Sequence, residues 1–112
     1  LPYKQLCFGS GGGVVGKENR NILLENGLMF YSKMEGTPVA LSNCKAKTAE
    51  DLFVRADAIL SANRVMMAPG NTYEFLELRA DGKVKRIAWD NHVAAKDPEL
   101  QAFYEEVRGI VK

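Results

Sequence analysis

Residues 72–89 read TYEFLELRADGKVKRIAW and contain the clearest signature of the fold. Two runs rich in strand-forming residues, Thr72–Leu78 and Lys83–Trp89, flank the sequence Ala80-Asp81-Gly82. An Asp-Gly pair between such runs is typical of a hairpin, because both central residues of its turn need a positive φ angle. We therefore predict two antiparallel strands joined by a tight turn.

A second hairpin is predicted in the N-terminal half of the chain. Asn26-Gly27 separates the runs Asn21–Leu24 and Leu28–Ser32, and Asn-Gly favours the same kind of turn. Before it, Tyr3–Phe8 has the composition of a short strand, and the glycine-rich segment Gly9–Gly13 is predicted to be a loop. The chain is thus expected to form three strands before its first helix.

Two segments show the residue spacing of amphipathic helices. The first begins near Thr48, whose hydroxyl is suited to an N-cap, and the second follows Asp97, with Pro98 in the first helical position. In both segments apolar residues recur at the spacing of a stripe that faces a core. These residues are Ala49, Leu52, Phe53, Ala56, Ile59, Leu60, Leu100, Phe103, Tyr104, Val107, Ile110 and Val111.

The order of these elements predicts an α+β fold. Because hairpins predominate over βαβ crossovers, we expect one domain, residues 1–112, with a mainly antiparallel sheet of about five strands and both helices packed on one face. The other face of the sheet is then free, unless the segment Lys33–Lys47 or a second copy of the protein covers it. A homodimer through this face is therefore one hypothesis.

Composition narrows the classes of function. The chain has 112 residues, with 15 Lys and Arg against 14 Asp and Glu, and a formal net charge of +1. This balance provides no overall field that would attract nucleic acid or an anionic membrane. No apolar run approaches the ~20 residues of a transmembrane helix. We predict no nucleic-acid partner and no transmembrane segment in this sequence.

The glycine-rich segment partly matches two phosphate-binding motifs. Gly11–Lys17 fits GxxxxGK[ST] up to the last position, where Glu18 replaces the hydroxyl residue that holds the metal ion. Gly11, Gly13 and Gly16 satisfy GxGxxG, but the residues that follow have the pattern of a strand and not of a phosphate-facing helix. We therefore predict that the protein binds no nucleotide and no other cofactor.

Few residues are suited to catalysis or metal binding. Cys7 and Cys44 lack the spacing of zinc ligands, and His92 is the only histidine. Cys7 lies in a predicted strand, where burial or a disulfide to Cys44 is favoured over a reactive thiol paired with His92. The sequence therefore predicts no metal site, no catalytic residue and no enzymatic activity.

Two segments are candidates for binding a partner. One predicted strand combines cations with an aromatic residue, but strand alternation places Lys83, Lys85 and Trp89 on one side and Arg86 on the other, which favours packing for Trp89. The glycine-rich loop would allow close backbone contact with a partner. The candidate partner-binding residues are Gly11, Gly12, Gly13, Lys17, Arg86 and Trp89.

Several stretches resemble a group of bacterial proteins. FGSGGGVVG at residues 8–16, LLENGLMF at 23–30 and RIAW at 86–89 resemble the FGxGGGxxG, LLxNGxLF and RIxW patterns of small secreted or lipoprotein-type proteins of uncharacterised function from Bacteroidetes. The resemblance implies export to the periplasm or cell envelope, where Cys7 and Cys44 could oxidise, and a lipid anchor outside this sequence. These proteins are also similar to emfourin-type inhibitors of thermolysin-like metalloproteases.

The residues and the resemblance together predict a non-enzymatic, exported binding or accessory module of the cell envelope. It would act through the glycine-rich loop and one face of the sheet. The alternative is a small protein inhibitor of a metalloprotease, in which the loop Gly9–Gly16 would approach the protease cleft.

Overall fold

A computed structural model describes residues 4–12, 17–33, 36–61, 72–90 and 98–111 of the chain. Among these residues the sheet has six strands, all antiparallel, in the order β4-β3-β2-β1-β5-β6. The elements are β1 (Gln5–Gly12), β2 (Lys17–Leu24), β3 (Met29–Ser32), β4 (Val39–Ala40), α1 (Ala46–Ser61), β5 (Thr72–Ala80), β6 (Lys83–Asp90) and α2 (Pro98–Ile110). The α+β prediction is confirmed, and the two-residue strand β4 raises the strand number from about five to six.

Both predicted hairpins are present, but only Asp81-Gly82 has the predicted turn geometry, because Asn26 lacks the positive φ angle expected of it. Asp81 and Gly82 have φ angles of 54° and 75° and connect the paired residues Ala80 and Lys83. Two positive φ angles in a two-residue loop are the geometry that matches the twist of the flanking strands. At the other turn Gly27 has a φ of 95°, and a Cβ there would lie 2.3 Å from the carbonyl oxygen of Cys44. Glycine is therefore required at this position.

The glycine-rich segment is where the sequence-based prediction was wrong. Gly9–Gly12 continue β1 instead of forming a loop, and β2 begins at Lys17 and not at Asn21. Across this pair a Cβ on Gly9 would lie 2.1 Å from the backbone oxygen of Asn19. Glycine in a strand commonly marks such a close approach of another backbone. Residue 13 of the predicted loop lies outside the described residues.

The two helices cover one face of the sheet and form the helix-side core. Helix α1 starts two residues before Thr48, at Ala46, and α2 starts at Pro98 as predicted. The Trp89 and Tyr104 rings meet edge to face, with centroids 4.9 Å apart, and the Tyr104 hydroxyl donates to the carbonyl oxygen of Gly9 at 2.9 Å. This packing joins α2 to β1 and β6. Neither described helix is long and apolar enough to cross a membrane.

The opposite face, called here the second face, has a smaller apolar cluster. Its buried members are Cys7, Phe75 and Ala88, with Ile22 and Tyr73 packed against them. The connection between β3 and α1 does not cover this cluster with its Leu41 or Cys44 side chains, because both pack against the helix-side core. The side chains that shield the second-face cluster come instead from the sheet itself.

Candidate functional site

The second face carries a cluster of charged side chains from three strands. Alternate residues of a strand point to the same face, so β2 supplies Glu18 and Arg20, β5 supplies Glu77 and Arg79, and β6 supplies Arg86. The strand register places Glu77 directly opposite Arg86. We call these five residues the arginine–glutamate cluster.

Glu77 is the most buried member of the cluster. Its side chain is only 4% exposed, and its carboxylate accepts hydrogen bonds from Arg79 Nε at 2.6 Å, Arg86 Nη1 at 2.9 Å and Arg20 Nη1 at 3.3 Å. Burial opposes ionisation, but the bonds from Arg86 and Arg79 outweigh it and lower the pKa of Glu77. Glu77 is therefore a charged acceptor held in place by three guanidinium groups.

Glu18 is the second acceptor of the cluster. Its carboxylate accepts from Arg20 Nη2 at 2.9 Å, from the Tyr73 hydroxyl at 2.5 Å and from Arg86 Nη2. Burial opposes ionisation here too, but the bonds from Arg86, Tyr73 and Arg20 prevail and lower the pKa of Glu18 to about 2. Arg86 and Arg20 thus each bridge the two carboxylates.

The aromatic ring of Phe75 lies beneath the cluster. The guanidinium carbons of Arg86 and Arg20 lie 4.4 Å and 5.4 Å from the centre of this ring, and Phe75 has no exposed surface. Such contacts are attractive because the ring face is partly negative, and the flat guanidinium also excludes water from the ring. The cluster therefore acts as a charged lid over the second-face apolar cluster.

Cys7 lies in this apolar cluster and has the properties of a structural thiol. It is fully buried, and burial, together with the charge on Glu77, raises its pKa to about 11 against the opposing effect of Arg20. A thiol that stays protonated at neutral pH is a poor nucleophile. Cys44 packs on the helix side, and the two sulfurs are not bonded, so the disulfide considered from the sequence is not formed in this structure.

The structure separates the residues that the sequence selected for partner binding. Arg86 belongs to the arginine–glutamate cluster, whereas Trp89 is 1% exposed in the helix-side core and is not available to a partner. Gly11 and Gly12 lie in β1, and Lys17 begins β2. Gly13 and His92 lie outside the described residues.

Sequence reasoning missed Glu18, Arg20, Glu77 and Arg79 as members of the site. The spacing Glu18-x-Arg20 could have indicated the first two, because alternate residues of a strand share a face. That reasoning requires β2 to begin before Asn21, as it does in the structure. Glu77-x-Arg79 shows the same alternation on β5. Strands β2 and β5 are close to each other because each pairs with one edge of β1.

The chemistry of the cluster favours binding over proton transfer. Both carboxylates have lowered pKa values, and arginine stays charged at any physiological pH, so no member exchanges protons near neutrality. Three arginines against two glutamates leave one excess positive charge. Among the described residues, no group of three His, Cys, Asp or Glu side chains is placed to hold a metal ion.

Comparison with known proteins does not place the chain in a family. The resemblance to secreted Bacteroidetes proteins and to emfourin-type inhibitors therefore stays a prediction from short sequence patterns. The chain matches no protein-family model and has no significant sequence similarity to any curated protein.

Proposed function

We propose that this protein is a non-catalytic binding module that recognises an acidic segment of a partner protein through the second face. The proposal rests on how the charges of the arginine–glutamate cluster are layered. The carboxylates of Glu77 and Glu18 lie underneath, with side chains 4% and 16% exposed, whereas Arg86 and Arg79 are 31% and 46% exposed. A partner that approaches this face would meet guanidinium groups first.

The exposed arginines are suited to carboxylate recognition in particular. The guanidinium group of Arg86 is oriented by Glu18, Glu77 and the aromatic ring of Phe75, and that of Arg79 by Glu77, so little side-chain entropy is lost when a ligand binds. A guanidinium also presents several N–H donors in a plane that matches a carboxylate. Attraction of this kind weakens as ionic strength rises.

Binding of a defined acidic probe would test the proposal directly. We would titrate the protein with a labelled peptide of alternating Glu and Gly, and with a matched peptide of Lys and Gly, at low and high salt. The expected result is binding of the Glu peptide alone, with affinity falling as salt is added. Amide chemical shifts should move on β5 and β6 and stay unchanged on the helices.

Two arginines of similar exposure, one inside and one outside the cluster, provide a test variant and its control. Arg79→Ala removes an exposed guanidinium of the cluster, whereas Arg55→Ala removes one that is 40% exposed on α1. The first variant should bind the Glu peptide several-fold more weakly, and the second should bind it like the parent. Equal binding by both variants, or no binding by the parent, would contradict the proposal.

The partner itself would then be sought with the same pair of variants. Our proposal also includes export, so the source is an envelope extract of the producing cells. A protein retained by the parent and by Arg55→Ala, but lost with Arg79→Ala, would be the expected partner. Stoichiometric inhibition of a thermolysin-like protease that is insensitive to Arg79→Ala would instead support the inhibitor function.

A further inference from the structure

We propose that the protein has a second binding site, for a small neutral polyhydroxyl ligand such as a single sugar ring, on the helix side of the sheet. This site is independent of the arginine–glutamate cluster, because the sheet separates the two. A cavity of about 210 Å³ lies there between the sheet and the C-terminal half of α2. Its lining includes Ser10, Asn21, Tyr31, Glu74, Tyr104 and Arg108.

The cavity lies at one end of the helix-side face, where polar side chains replace the large apolar side chains of the core. On β1 the core residue Phe8 is followed on the same face by the polar Ser10. On the antiparallel strand β5 the core residue Leu76 has the polar Glu74 as its neighbour toward the same end of the sheet. Helix α2 approaches the sheet at Tyr104, whose hydroxyl reaches the carbonyl oxygen of Gly9 at 2.9 Å. At ~30 Å³ per water molecule, the volume corresponds to about seven waters. A single sugar ring fits this space, and a nucleotide does not.

The lining offers both donors and acceptors of hydrogen bonds. The Ser10 and Tyr31 hydroxyl groups can donate and accept, the Glu74 carboxylate accepts, and the Arg108 guanidinium donates. A ligand whose hydroxyl groups each donate and accept can pair with all of them. The tyrosine rings add apolar surface for the C–H groups of a sugar.

Asn21 provides an independent indication that a polar ligand is accommodated. Its Oδ1 is buried and has no hydrogen-bond donor among the described residues, while its Nδ2 donates to the Phe8 carbonyl oxygen over a long 3.4 Å. An unpaired buried acceptor is unfavourable. The χ2 torsion of asparagine, about its Cβ–Cγ bond, is soft, so the amide group can turn its oxygen toward a ligand hydroxyl and lose only this weak contact.

The charges at the cavity favour a neutral ligand. Glu74 and Arg108 face each other with Oε2 and Nη1 3.4 Å apart, so the two charges already balance. An anion or a cation would leave one charge without its partner. A sugar hydroxyl can instead accept from Arg108 and donate to Glu74 without separating them.

The test is a titration of the isotope-labelled protein with glucose, galactose, mannose and N-acetylglucosamine. We expect at least one sugar to cause saturable amide shifts at Ser10, Asn21 and Arg108, with a dissociation constant on the order of millimolar, as suits a ligand of this size. No saturable shift with any sugar at tens of millimolar would overturn the proposal. Larger shifts with glycine or acetate than with the sugars would also overturn it.

Variants separate the site from the rest of the fold. Asn21→Leu keeps the side-chain size and removes the unpaired oxygen, so we expect at least tenfold weaker sugar binding without loss of stability. Glu74→Gln should weaken sugar binding similarly, and it tests the assignment if Asn21→Leu does not fold. Arg79→Ala, on the second face, should bind sugar like the parent. Unchanged sugar binding in both cavity variants would contradict the assignment.

Discussion

Both faces of the sheet contain apolar side chains with almost no exposed surface, but the two faces shield them in different ways. On the helix side, Trp89 packs against Tyr104 beneath a layer of helices. On the second face, Phe75 and Cys7 have no exposed surface, and the side chains above Phe75 are Arg20 and Arg86. Complete burial therefore does not require a second layer of secondary structure when planar cations can stack on the ring.

The difference implies that the faces respond to different conditions. The helix-side core depends on apolar area removed from water, at roughly 25 cal/mol per Å². The lid on the second face depends on ion pairs, whose strength varies with pH and salt. Acid should therefore weaken the ion pairs of the second face and leave the packing of Trp89 in the helix-side core intact.

The largest expected effect is on the helix side. Trp89→Ala should lower the free energy of unfolding by about 3–5 kcal/mol, because it removes a fully buried aromatic ring and leaves a cavity against Tyr104. Urea denaturation followed by circular dichroism would measure it. Val84→Ala, at a position 59% exposed on the same strand, is the control and should change stability by less than about 0.5 kcal/mol. Equal losses in the two variants would refute this account of the core.

Removing Glu77 should be the next largest effect. Glu77→Ala should cost about 2 kcal/mol, because Arg20, Arg79 and Arg86 lose their shared buried acceptor, although their own exposure to water moderates the loss. The same urea titration applies, with the exposed Glu50→Ala as control. The thiol of Cys7 should also react faster with a thiol reagent in Glu77→Ala, and an unchanged rate would contradict the lid.

Acid should destabilise the protein through Glu18. Its pKa falls from the ordinary value of 4.5 to about 2 on folding, so the unfolded chain binds more protons than the folded one between these values. The stabilisation is present above pH 4.5 and is lost as the pH falls toward 2. Denaturant unfolding across this range should show a smaller pH dependence in Glu18→Gln than in the parent. Parallel curves for the two proteins would show that Glu18 is not involved.

The smallest expected effect is at the exposed ion pair between the helices. Arg55 donates to Glu106 at 2.6 Å and 2.9 Å, but the two side chains are 40% and 48% exposed. Solvent screening limits such pairs, so Arg55→Ala should cost about 0.5 kcal/mol. Thermal unfolding at low and high salt would measure the change. If Arg55→Ala lowered the free energy of unfolding as much as Glu77→Ala does, exposed and buried charges would contribute equally, contrary to this prediction.

Local sequence signals predicted most of the elements. Asp81-Gly82 forms the two-residue turn expected of it, because its positive φ angles depend on a few neighbouring residues. The chain also reverses at Asn26-Gly27, but there only Gly27 has a positive φ angle. Apolar spacing also identified both helices and the side of β6 on which Trp89 lies. The error at Gly9–Gly12 arose because glycine has a low preference for strands, so these residues form one only through pairing with the adjacent β2 and the distant β5.

The candidate sites were less predictable because their residues converge from separate strands. Glu77 and Arg86 face each other across the β5–β6 hairpin, but Glu18 is far from both in the chain and meets them only because β1 pairs with both β2 and β5. The same holds for the cavity, which joins Asn21 of β2 to Arg108 of α2.

The sequence by itself determined the α+β class, the two hairpin turns and the apolar faces of the helices, since each depends on local backbone preference and periodicity. Only the tertiary structure decided that Arg86 joins Glu18 and Glu77 in a charged lid over the second-face apolar cluster. The physical reason is that ion pairs and cavities depend on distances between strands, and strand order is set by the packing of the whole sheet.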